Sequence, residues 1–337
     1  MSVAELLDTL SRRSLDQTES FAAFRGLLEG DLTELEIAAL LGALKTRGET
    51  PEEITGAALA LRTAAAPFPK PAYPVADTCG TGGDGAGTVN ISTAAAFVAA
   101  EAGVRVAKHG NRATSSRCGS ADLLEALGVR LDVPPGVARR CLDQTGICFL
   151  FAPAYHAGVR RATPVRQALR TRTVFNLLGP LANPARPEYQ VMGVYDPRLV
   201  RPLAEALRRL GCRGALVVHG SGLDEIALHG PTTAARLTGD LVSDLTITPA
   251  DCGLAPAPLA ALAGGGPEEA ADWLLGLLAG AGRAAHRDAV AANAGAMLWI
   301  SGLAPTLRDG AAHAAAILDR GTAIGRLTAL VEASHGA

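Results

Sequence analysis

Apolar residues recur at helical spacing through roughly the first 66 positions, and a start signal precedes each run. Ser2-x-x-Glu5, Asp16-x-x-Glu19, Thr33-x-x-Glu36 and Thr50-Pro51-x-Glu53 all have the form of a capping box. In each, a side-chain oxygen satisfies a free first-turn N–H while the acid answers the helix dipole. Pro51 suits a first helical position, where a missing N–H costs nothing. Gly30 and Gly48 are expected stops. Phe21, Phe24, Leu27 and Leu28 form one apolar set, and Leu35, Ile37, Leu40, Leu41 and Leu44 a second. Helices this short need a partner surface. Pro67, Pro69, Pro71 and Pro74 then crowd one stretch. They predict a semi-rigid linker and a boundary near residue 70.

Beyond it, short β-branched runs alternate with helical ones. Strands are expected at Val75–Thr78, Val104–Ala107, Ile147–Phe151, Gln190–Tyr195 and Ala215–His219. Helices are expected at Ile91–Ala102, Ser120–Leu127, Glu268–Ala279 and Arg287–Ile300. The alternation implies a largely parallel sheet covered by helices. The fold class is therefore α/β: a small all-helical N-terminal domain, residues 1–70, and a large α/β domain, residues 71–337, with a mostly parallel central sheet and C-terminal helices.

Composition narrows the functions available. The chain has 337 residues, 48% hydrophobic, which is enough for a large core or two domains. The net charge of −2, with no basic stripe, argues against a nucleic-acid partner. The first ten residues lack a signal-peptide pattern, and no apolar run is long enough for a bilayer. Ala289–Ala304, the most apolar stretch, holds Asn293 and reads as a buried helix. The six cysteines make no C-x-x-C or zinc spacing, so reduced thiols in a cytoplasmic protein are expected.

Parallel sheets bind ligands at the carboxyl ends of their strands. Two motif-rich loops stand there. Asp77-Thr-Cys-Gly80-Thr81-Gly82-Gly83-Asp84-Gly85-Ala-Gly87-Thr88-Val-Asn90-Ile-Ser92-Thr93 combines glycines, hydroxyls and a helix start, the parts of an anion cradle. It is neither a P-loop nor a dinucleotide fingerprint. Asp84 would repel phosphate unless it meets sugar hydroxyls or a cation. Lys108-His109-Gly110-Asn111-Arg112-Ala-Thr114-Ser115-Ser116-Arg117-Cys-Gly119-Ser120 supplies the cations and hydroxyls that a pyrophosphate needs. Asp224-Glu225 suits a hard cation, serving two ions from a strand or one from a turn. Arg166 fits either a substrate carboxylate or a surface ion pair. Pro153–His156 and Asn176–Pro184 read as loops that floor a second substrate. His109 and His156 read as structural or titrating groups.

These motifs identify a resemblance. GTGGDGAGTVNIST, VAKHGNRATSSRCGSADLLEALG, FLFAPAYHAGVRRATPVRQALRTRTVFNLLGPLANP and HGSGLDEIALHGPT, in this order, resemble the anthranilate phosphoribosyltransferases of the nucleoside phosphorylase/phosphoribosyltransferase superfamily. The resemblance implies transfer of the phosphoribosyl group of phosphoribosyl pyrophosphate to anthranilate, with release of pyrophosphate, in tryptophan biosynthesis. It implies a helical domain completed by a segment near 155–185, and a homodimer formed through that domain. Phosphoribosyl pyrophosphate would be held by Gly80, Gly83, Asp84, Thr88, Asn90, Ile91, Ser92, Thr93, Lys108, Ser116 and Ser120. The substrate-binding set extends to Gly110, Arg112 and Ser115. Ser92, Asp224 and Glu225 would bind Mg²⁺, two ions per chain. Asn111 and Arg166 would contact anthranilate, with His109, Tyr155 and His156 along its approach. Lys108, Asn111 and Arg166 are the catalytic candidates. A pyrimidine nucleoside phosphorylase and a non-enzymatic nucleic-acid-binding relative are the rival readings.

Overall fold

The computed structural model describes residues 3–113 and 116–336. Four helices open the chain: α1 (Val3–Arg12), α2 (Gln17–Glu29), α3 (Glu34–Arg47) and α4 (Pro51–Ala64). Three of the four expected capping boxes are present, at Asp16/Glu19, Thr33/Glu36 and Thr50/Glu53. The box at Ser2 lies outside the described residues. Gly30 and Gly48 close their helices at positive φ. Glu53 also works across the bundle, since its buried carboxylate accepts the Leu15 N–H at 2.8 Å and pairs with Arg47. Phe24, Leu27, Ile37, Leu40, Leu41 and Leu44 are buried as expected, but Leu35 is 84% exposed. It precedes Ile37 by two residues, roughly 200° around the helix, and so falls on the opposite face.

The proline-rich stretch after α4 holds no helix or strand before residue 76. The rest of the α/β region supplies β1 (Ala76–Gly80), α5 (Ile91–Glu101), β2 (Val106–Gly110), α6 (Ser120–Ala126), α7 (Pro135–Thr145) and β3 (Ile147–Phe151). Next come α8 (Ala152–Tyr155), α9 (Thr163–Leu169), α10 (Phe175–Leu181), β4 (Tyr189–Gly193), α11 (Val200–Arg209) and β5 (Gly214–Gly220). The chain finishes with β6 (Thr232–Thr238), β7 (Leu241–Ile247), α12 (Pro267–Leu278), α13 (Ala284–Ile300), α14 (Leu307–Arg320) and α15 (Ile324–Ser334).

Among the described residues one sheet of seven strands runs β3-β2-β1-β4-β5-β6-β7. The first five are parallel, and β6 and β7 join antiparallel. No strand is expected from the sequence at β6 or β7, although Gly239-Asp240 between two threonine- and valine-bearing runs is a hairpin signal. Strands β1 and β2 run past their expected ends into the glycine loops, to Gly80 and Gly110. Chain order reverses between β1 and β4, which makes the carboxyl ends of these two strands the topological switch point.

Two apolar clusters sandwich the sheet. One joins α5, α12, α13, α14 and α15 to one face. Asn293, buried in α13, accepts the Ile226 N–H at 3.0 Å and donates to the Ala289 carbonyl at 2.9 Å. The other joins the N-terminal helices, α9, α10 and α11 to the opposite face, with Phe24 edge-on to Phe175 at 5.9 Å. The stretches read as loops at Pro153–His156 and Asn176–Pro184 are instead partly helical, in α8 and α10. Phe175, Leu177, Leu178 and Leu181 bury their side chains there. That burial outweighs the Gly179-Pro180 signal, because Pro180 lies one residue from the end of a two-turn helix.

Candidate active site

The loop between β1 and α5 is the floor of a cleft of about 330 Å³ at the switch point. Thr81 N–H donates to the Gly193 carbonyl at the end of β4 (2.9 Å), which seats the loop on both strands. Gly82 and Gly83 turn with φ of +67° and +77°. Asn90 leads into α5 and donates to the Cys118 carbonyl at 3.2 Å, tying the two motif loops together. The first turn of α5 borders the cleft, but its amides are taken within the protein: Ile91 N–H donates to the Val89 carbonyl at 2.7 Å, Thr93 N–H to the Asn90 carbonyl at 3.1 Å, and Ser92 N–H to a carboxylate described below.

The acids enter from a third direction. Asp224 and Glu225 lie in a bend after β5, not on a strand, so both side chains reach the cleft. Asp224 Oδ2 accepts the Gly82 N–H at 2.7 Å, and Glu225 Oε1 accepts the Ser92 N–H at 3.0 Å. This approach requires Gly193: a β-carbon there would sit 1.4 Å from the Asp224 carbonyl oxygen. Burial, and then the neighbouring Asp84, push the Asp224 carboxyl up; burial, and then Asp224, push Glu225 up. Three carboxylates packed so closely repel one another, and a hard cation relieves that repulsion. No set of three His, Cys, Asp or Glu side chains among the described residues forms a complete metal cage.

Lys108 is expected in a loop but sits at the centre of β2, where it is 3% exposed. Its ammonium donates to the Thr78 carbonyl at 2.6 Å, beneath the start of the glycine loop. The other expected cations are committed elsewhere. Arg112 bonds Glu125 at 2.6 Å and Asp122 at 3.2 Å, and Arg117 is an exposed partner of Glu269 at 3.7 Å. Gly110, Asn111, Ser116 and Ser120 line the cleft beside Gly80, Gly83, Asp84, Thr88, Asn90, Ile91 and Ser92. Thr114 and Ser115 lie outside the described residues.

Opposite the glycine loop, α9 and α10 bring Arg166, Phe175, Asn176, Gly179 and Pro180 to the wall. Arg166 is half-buried, lies 5.4 Å over the Phe175 ring, and has no ion-pair partner among the described residues. His109 also lines the cleft. Its Nδ1–H donates to the Gly179 carbonyl at 3.1 Å, and burial, then His156, lower its pKa to about 3. It is a neutral ring whose Nε2 carries the lone pair. Thr93, Tyr155 and His156 do not line the cleft. Thr93 is buried within α5, and His156 packs edge-on behind His109 at 5.2 Å. Ala152 and Phe175 also line the cleft without a sequence signal. Nothing in a lone alanine or an apolar helix position marks it as a cleft wall. A larger hollow of about 540 Å³ lies between residues 45–49 and Tyr195–Pro202, but the convergent amides, acids and unpaired cation are at the switch point.

Matches to known proteins span both parts of the chain. Residues 4–65 match the helical bundle domain of the glycosyl transferase family, and residues 72–324 match its a/b domain. The anthranilate phosphoribosyltransferase of Sorangium cellulosum is 63% identical over 96% of this chain and 92% of its own length. That of Aeromonas salmonicida is 52% identical over 98% of each. Among solved structures, the Thermus thermophilus enzyme superposes with a TM-score of 0.94 at 45% identity, covering all of both chains. The Saccharomyces cerevisiae enzyme in complex with PRPP and Mg gives 0.89 at 26% identity, over 99% of this chain and 98% of that one. With both domains matched and the relatives aligned nearly end to end, the chain belongs to the anthranilate phosphoribosyltransferase family.

Proposed function

We propose that this chain transfers the phosphoribosyl group of phosphoribosyl pyrophosphate to the amine of anthranilate, releasing pyrophosphate, as a step of tryptophan biosynthesis. One observation carries the reading. A single cleft joins an amide- and acid-lined glycine loop to an unpaired Arg166 stacked on an aromatic ring. The first wall suits a diphosphate with its cation, and the second suits an aromatic carboxylate.

The breaking bond joins ribose C1 to pyrophosphate, so negative charge gathers on the leaving group. Backbone donors of the glycine loop, with the Lys108 ammonium beneath, would stabilise that charge. Asp224, Glu225 and Ser92 would hold Mg²⁺, which when bound neutralises diphosphate oxygens. Two ions per chain would draw on this pair of adjacent carboxylates. Arg166 and Asn111 would position anthranilate, whose aromatic amine needs no strong base. His109 suits that passive wall, being neutral and fixed by Gly179.

The helical bundle is the proposed homodimer surface, supported by the exposed Leu35 on α3. The six cysteines are free and buried, which suits the cytoplasm. No helix among the described residues is long and apolar enough to cross a membrane. Loss of anthranilate fluorescence tests the reaction. The expected result is consumption only when phosphoribosyl pyrophosphate and Mg²⁺ are both present. Persistent fluorescence in the complete mixture would refute the assignment.

A further inference from the structure

We propose that Arg172 is a positioning residue for the sugar donor, holding the Gly83–Asp84 peptide so that its N–H faces the cleft. The inference rests on the proposed reaction and goes beyond it, by explaining how the tip of the glycine loop acquires a donor.

The tip residues Gly82 and Gly83 have positive φ and no side chains, so the peptides there can invert at little steric cost. Two contacts oppose inversion, one on each of two peptides at the tip. Asp224 takes the Gly82 N–H, and the Arg172 guanidinium donates to the Gly83 carbonyl. A trans peptide points its C=O and N–H in opposite directions. Drawing the Gly83 carbonyl toward Arg172 therefore turns the Asp84 N–H the other way. That N–H has no partner among the described residues, and Asp84 lines the cleft. In the inverted state a carbonyl oxygen would face the diphosphate and repel it.

The surroundings of Arg172 are built for this contact. Its guanidinium lies 3.8 Å from the centre of the Tyr195 ring. Tyr195 is in turn fixed, because its own N–H donates to Thr81 Oγ1 at 3.1 Å. Arg170, at the end of α9, adopts φ +47°, and the turn carries the chain from Arg166 on the anthranilate wall to Arg172 on the donor loop. Thr173 N–H then donates to Asn176 Oδ1 at 3.0 Å, opening α10. Arg172 thus belongs to the segment bearing the anthranilate wall but acts on the donor side.

Calorimetric titration of the whole protein with phosphoribosyl pyrophosphate and Mg²⁺, alongside steady-state kinetics, tests the assignment. Arg172→Ala is expected to raise the donor Kd and KM by about tenfold, as befits a lost charge-assisted contact. At saturating donor the anthranilate KM should stay within about twofold of wild type, and the melting temperature should hold. Arg172→Lys keeps a donor without the planar stack and should fall between. Tyr195→Phe should match wild type, and Tyr195→Leu should weaken donor binding. If Arg172→Ala does not fold, Arg172→Lys and Tyr195→Leu carry the same comparison. Unchanged donor affinity in these variants, or a rise confined to the anthranilate KM, would overturn the role of Arg172 and leave the reaction standing. A wild-type protein that binds no donor would remove both.

Discussion

Arg166 is half-buried against Phe175 and meets no carboxylate in the described chain. A cation in that position is partly desolvated and uncompensated, so a substrate anion gains more from it than from a solvated surface arginine. Arg166→Ala should raise the anthranilate KM roughly ten- to a hundredfold, from loss of about 1.5–3 kcal/mol, with the donor KM little changed. Steady-state kinetics with each substrate varied would check this, and an effect confined to the donor would contradict it. Arg166 was legible as a candidate in the sequence, but its freedom from a partner was not. Arg112 and Arg117 look equivalent on paper, yet both are paired with carboxylates of neighbouring helices. Ion pairing depends on what lies across a fold, and one sequence does not contain that distance.

At the scale of elements, start and stop signals were the most readable feature. The boxes of α2, α3 and α4 form as their residues require, since each closes within four residues and needs no distant partner. The α2 box has a measurable pH signature. Glu19 is held at about 2 by the Arg13 guanidinium, which bonds both its oxygens at 2.7 and 2.6 Å, and by the Asp16 N–H. Its folded pKa lies below the ordinary value of 4.5, so its contribution is complete above that pH and is lost as pH falls toward about 2. Wild type should melt above Glu19→Gln at neutral pH, with the gap closing between those two values. The gap should be small, because the pair is exposed and screened. A pH-independent gap would show that charge is not the cause. Two stretches expected as loops are helical, in α8 and α10, and no element is expected at α7, α9, α11, β6 or β7. In α10, a buried apolar face overrides a Gly-Pro pair; in β6 and β7, antiparallel pairing extends a sheet whose other strands alternate with helices.

On the scale of the whole molecule, the N-terminal helices and the face of the sheet under α11 share one apolar cluster. Arg62 of α4, buried at the join, donates to the Leu181 carbonyl at 2.6 Å, and Arg209 of α11 pairs with Glu52. Leu35, exposed on α3 of the same bundle, is where the proposed homodimer can be tested. Sedimentation of the 34.4 kDa chain should return twice that mass, and Leu35→Glu should shift it toward the single chain. A monomeric wild type would remove the homodimer from the proposal.

Local chemistry and order along the chain were enough to determine the helical start, the proline-rich break after α4, the mostly parallel α/β class and the two stretches rich in glycine and hydroxyls. Those features depend on neighbours within about one or two helical turns. Tertiary structure alone decided which of the candidate groups meet. It buried Lys108 under the loop, set Thr93, Tyr155 and His156 behind the cleft, and carried Asp224 within 2.7 Å of Gly82, a residue 142 positions away. The reason is the strand order: β4 is laid beside β1 and β5 beside β4, so the acids after β5 reach across β4 to the loop after β1, and no local signal encodes that adjacency.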